Sequence, residues 1–103
     1  MIGPQGFIAI PQCLKRVQGL TDGANVQVKT GPGVLGKVIV ANAGTASGTL
    51  YDAAPGDALN AANLIWVAPQ TVDVYPLNMP FKRGLVWKPD ASAGGQLVNL
   101  NYA

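Results

Sequence analysis

From Thr21 onward the chain is a succession of short β-branched and aromatic runs, cut by Gly, Pro, Asn or Asp turns about every 8 to 12 residues. That rhythm leaves no stretch long enough for an amphipathic helix. The runs are "VQVKT", "VLGKVIVAN", "TLYD", "LIWVA", "TVDVYPL", "GLVWK" and "LVNLNY". In "TVDVY", Val72 and Val74 alternate with Thr71, Asp73 and Tyr75, the period of a strand. "APGDALNAAN" has turn chemistry at its start and room for one helical turn after it. The expected fold is all-β: a small antiparallel β-sandwich or jelly roll.

Composition agrees. Charged residues make up 12% of the 103, and there is no glutamate, so strong helix formers are scarce, while 13 Gly and 8 Pro supply turns. A chain of this length holds one core. The expected organisation is an extended N-terminal arm over residues 1–20 and a single sandwich domain over 21–103. The arm carries Pro4 and Pro11, which suit neither a helix nor a central strand, yet its "FIAI" needs an apolar surface to cover it. That surface is either a neighbouring chain or the edge of the arm's own sheet.

"GPGVLGKVIV" comes within one residue of a phosphate-binding loop, with Gly31, Gly36 and Lys37 in place. Val38 stands where the magnesium-binding hydroxyl belongs, and Val-Ile-Val follows where a helix N-terminus is needed. The segment therefore predicts a turn feeding a strand, with Lys37 a solvated surface residue. In that strand Val34, Val38 and Val40 alternate with Leu35, Ile39 and Ala41, so both faces are apolar: one for the core, the other for a subunit contact.

Catalytic equipment is thin. Histidine is absent, and the single Cys13 has no partner for an internal disulfide. Asp22, Asp52, Asp57, Asp73 and Asp90 are the only acids, none nearer to the next than five positions, which is unlike a calcium loop. Asp52 and Asp57 form the one conceivable carboxylate pair, but Asp57 follows Pro-Gly and is expected to bond its own turn. These features predict a non-enzyme without cofactor or metal. The seven cations are spread along the chain, with "KR" at Lys15 and again at Lys82, so no basic stripe for nucleic acid forms. In "FKRGLVWK", Leu85 and Trp87 are read as core and Lys82, Arg83 and Lys88 as solvated. No run of eighteen apolar residues and no signal-peptide pattern is present, which predicts cytoplasmic synthesis and no membrane span.

Three segments carry a family resemblance: "GPGVLGKVIVANAG", "GTLYDAA" and "PFKRGLVWKPDASAGGQLVNLNYA". Together, with gaps, they cover residues 31–103. In their order the chain resembles small head proteins of tailed bacteriophages, particularly capsid decoration, or cement, proteins. The resemblance implies a virion structural protein on the capsid surface, a dimer or trimer bound at contacts between major capsid protein subunits, stabilising the shell. Patterning then offers Phe7, Ile8 and Ile10 of the arm as anchors on a neighbour, and Leu35 and Ile39 as an outward subunit contact. Two alternatives stay open: a neck, tail or fibre-anchoring component, and a receptor- or carbohydrate-binding module in which Trp66 or Trp87 stacks on a sugar.

Overall fold

In the computed structural model, residues 15–21, 23–90 and 95–103 are described. They form eight strands: β1 (Lys15–Leu20), β2 (Val26–Thr30), β3 (Gly33–Asn42), β4 (Thr49–Tyr51), β5 (Leu64–Val67), β6 (Asp73–Phe81), β7 (Gly84–Lys88) and β8 (Leu97–Tyr102). Two four-stranded antiparallel sheets result, ordered β1-β8-β3-β6 and β2-β7-β4-β5. The pairs β1·β8, β2·β7, β3·β6 and β4·β5 are nested, as in a long hairpin doubled at the β4–β5 connection. Rolling that hairpin adds the contacts β3·β8 and β4·β7. This is the strand order of a jelly roll, the more specific of the two expected folds.

The core lies between the sheets. Trp87, Phe81, Leu35, Leu50 and Leu85 are its largest fully buried side chains. The Trp87 indole N–H donates to the Thr21 carbonyl at 3.1 Å, so this ring is both packed and polar-satisfied. A smaller cluster, Tyr51, Ala53 and Val86, sits under Leu59 of the β4–β5 connection. That connection contains no helical turn. Asn60 and Asn63 take its amide hydrogens instead: Asn63 Oδ1 accepts from Asn60 N–H, and Asn60 Oδ1 from Ala62 N–H.

Two sequence expectations change here. Residues 15–20 are a strand of the sandwich, paired to β8 from Lys15↔Tyr102 to Leu20↔Val98, so the domain starts earlier than residue 21. Leu20 is buried in the core, which is what draws the segment in. The other change concerns Leu35, expected to face outward with Ile39, but fully buried. Against β8, Leu35 pairs with Tyr102 and Val38 with Leu100, so three steps along β3 match two along β8. The extra residue is a bulge, and it inverts the alternation. Leu35, Val38 and Val40 therefore all point inward, while Ile39 remains outward at 41% exposure.

Candidate functional site

At one end of the sandwich the two acids of the β4–β5 connection hold the turn between β6 and β7. Asp52 accepts from the backbone N–H groups of Lys82 and Arg83 at 2.8–3.1 Å. Asp57 bonds Ala54 N–H in its own turn, as the Pro-Gly-Asp sequence predicts, and pairs with Arg83 through Nε at 2.6 Å and Nη2 at 2.9 Å. Both carboxylates have their oxygens occupied by these structural bonds, which leaves neither placed as a free base.

The titration of these acids follows from that geometry. Partial burial pushes the Asp52 carboxyl up, but N–H donation from Arg83, Lys82 and Gly84, with the Lys82 charge, outweighs it and the net shift is downward. The bond from the Arg83 guanidinium, with Ala54 N–H, lowers Asp57 from 3.8 to about 2. Groups that titrate lower when folded contribute fully above their unfolded value and lose that contribution as pH falls through the folded one. The denaturation midpoint is thus expected to be flat down to about pH 5 and to fall between about pH 4 and 2. Asp57→Asn is expected to lower the midpoint at pH 7 and to flatten part of that fall. Urea unfolding at several pH values reads both effects, and an unchanged slope in the variant would show that the pair is not responsible.

The more exposed candidate is the seam where edge strands β5 and β6 meet across the sandwich. The Trp66 and Tyr75 rings join them at a centroid distance of 5.4 Å. Outside that contact, Val72 is 61% exposed and Val74 48%, with Leu64 and Val67 also exposed on β5. At the Leu64 end of the seam lies an open cleft of about 500 Å³, which Asp52, Asn63, Met79, Lys82 and Arg83 also line. Edge strand β6 carries Pro76 and Pro80, which lack an N–H to offer an added strand, so the seam presents side chains more than backbone. The period-2 signal in "TVDVY" was legible, but not that its valines face outward while Tyr75 packs on the core.

Of the anchor residues expected from sequence, Ile39 is on the surface, cross-strand from Val74. Leu35 is in the core, and Phe7, Ile8 and Ile10 lie outside the described residues. Trp87 is buried and Trp66 is half-buried against Tyr75. Lys82, Arg83 and Lys88 are exposed, as expected. Among the described residues no group of three or more metal-ligating side chains occurs, and no helix is long and apolar enough to cross a membrane. Comparison with protein-family models, with curated proteins and with solved structures finds no match for this chain.

Proposed function

We propose that this chain is a virion structural protein, a capsid decoration protein that binds the outside of an assembled shell at contacts between major capsid protein subunits. The observation that carries the reading is the seam: a small domain holding Val72, Val74, Leu64 and Val67 out to solvent along adjacent edges has an unspent association surface. Jelly rolls occur in viral shell proteins and in lectins, so the fold supports two classes by analogy. The tryptophans favour the first. A sugar platform needs an open indole face, and Trp87 has none, while Trp66 is packed on Tyr75. Binding to the assembled lattice and not to dissociated subunits lowers the free energy of the intact shell, which is how such a protein resists rupture.

Co-sedimentation with shells prepared without the chain tests this. Wild-type protein is expected to bind saturably. The double variant Val72→Asp, Val74→Asp is expected to bind at least tenfold more weakly while keeping its circular dichroism spectrum, because both positions are solvent-facing. Equal binding by the variant would remove the seam from the contact.

A further inference from the structure

The outer face of the β1-β8-β3-β6 sheet holds a second feature, built by its bulges. Where β1 slips against β8, the Gly19 N–H loses its ladder partner and donates to Asn99 Oδ1 at 2.8 Å. Where β3 slips against β8, the Lys37 N–H donates to Asn101 Oδ1 at 2.5 Å. Each bulge thus consumes the oxygen of one β8 carboxamide and fixes which way that amide points. The NH₂ group of each has no partner among the described residues. Arg16, in register with Asn101 on one side, and Lys37 on the other bring two exposed cations to the same row. Together with Gln18 and Ile39 they line a groove of about 170 Å³ that contains no carboxylate.

The lining is therefore rich in hydrogen-bond donors and poor in acceptors: a guanidinium, an ammonium and two oriented amide NH₂ groups. We propose that this groove is an oxyanion site whose occupant is the carboxylate of an acidic side chain on a protein partner. A guanidinium and an ammonium flanking fixed amide donors suit a carboxylate, which accepts at both oxygens. A nucleic acid backbone needs a longer track of cations, and here the surface turns apolar at once: Ile39 lies in the groove and Val74 is its cross-strand neighbour. The complementary partner is a segment that places Asp or Glu beside aliphatic residues. The inference deepens the reading of the chain as a protein that docks on a protein shell, because the groove's Ile39 on β3 continues to Val74 at the β6 side of the seam. Arg16 and Lys37 supply selectivity and steering, and the valines supply apolar area.

The test uses the full chain, ¹⁵N-labelled, titrated with the blocked peptide Val-Glu-Val-Glu-Val and with its Gln counterpart. The Glu peptide is expected to shift the side-chain amides of Asn99 and Asn101 and the backbone amides of Gly19 and Lys37. Its affinity is expected to fall at least fivefold between 50 and 300 mM salt, as screening requires. In the doubly charge-reversed Arg16→Glu, Lys37→Glu chain it is expected to fall at least tenfold, with the fold checked by the dispersion of the remaining amides. Equal shifts from the Gln peptide, or undiminished binding by the charge-reversed chain, would overturn the proposal. Sodium sulfate producing the same shifts, with no further change from the Glu peptide, would replace a protein carboxylate by a free anion and overturn the choice of occupant. Shell binding is read separately, so a chain that binds the peptide but no shell contradicts the capsid reading and leaves the groove intact.

Discussion

Leu35→Ala is expected to lower the unfolding free energy by about 2–5 kcal/mol, whereas Ile39→Ala, four residues along the same strand, should change it by about 0.5 kcal/mol or less. The contrast is a test of the bulge between them. Without it the strand would alternate evenly, Leu35 and Ile39 would share a face, and the two truncations would have similar effects. With it, Leu35 has no exposed surface and packs with Phe81, Leu85 and Trp87 in the central core. Removing three buried carbons there opens a cavity that a small, tightly packed domain cannot easily collapse. Chemical denaturation of the two variants under one condition decides the matter, and equal losses would place Leu35 on the surface.

Gly48→Ala is expected to cost about 3 kcal/mol, a large effect for one methyl group. A Cβ at this position would fall within the Trp87 ring. The glycine cannot retreat, because its N–H donates to the buried Gln96 Oε1 at 2.7 Å and its carbonyl accepts from Ala68 N–H at 2.9 Å. Gln96 is itself held by donating to the Pro69 carbonyl at 3.0 Å, so the ring and both loops form one packed unit. For a domain of this size the loss corresponds to a fall of roughly 10–20 °C in Tm. Trp87→Leu, though destabilising alone, should make the added methyl much less costly, a coupling of about 1–3 kcal/mol in a double-mutant cycle. Additive losses would mean that Gly48 and Trp87 do not touch.

Much of the fold could be read from local pattern, since "GLVWK" and "LVNLNY" coincide with β7 and β8 and "TGPG" is the turn before β3. Pattern also located Trp87 and Leu85 inside and the structural role of Asp57. What failed has a common cause. Strand phase was carried past Gly36 as though the ladder were regular, and a bulge is specified by the neighbouring strand, not by the bulged one. The signal that could have found it was in β8: two asparagines at alternate positions of an otherwise apolar strand, each serving one bulge. The packing role of Gly48 has no sequence signal, because nothing local announces a tryptophan 39 positions away. The strand over residues 15–20 is missed because, among its described residues, Leu20 alone is fully buried and Val17 only partly, too little apolar pattern to mark a strand.

The outward surface was legible only in part. Ile39 was expected there, but Val72 and Val74 carry the same period whichever way they face, and only their pairing across the sheet orients them. A surface of this kind is worth little to the chain alone. On the proposed reading, docking would cover its valines and so tie stability to assembly.

The most direct measurement is a cryo-electron microscopy difference map between shells saturated with the chain and shells prepared without it. The expected result is ordered density of one sandwich domain on the outer surface, centred over contacts between capsid subunits, with the β5–β6 seam and its Val72 and Val74 turned toward the shell. Shells that gain no ordered external density, or gain it through the opposite β1–β2 edge with the seam facing solvent, would contradict it.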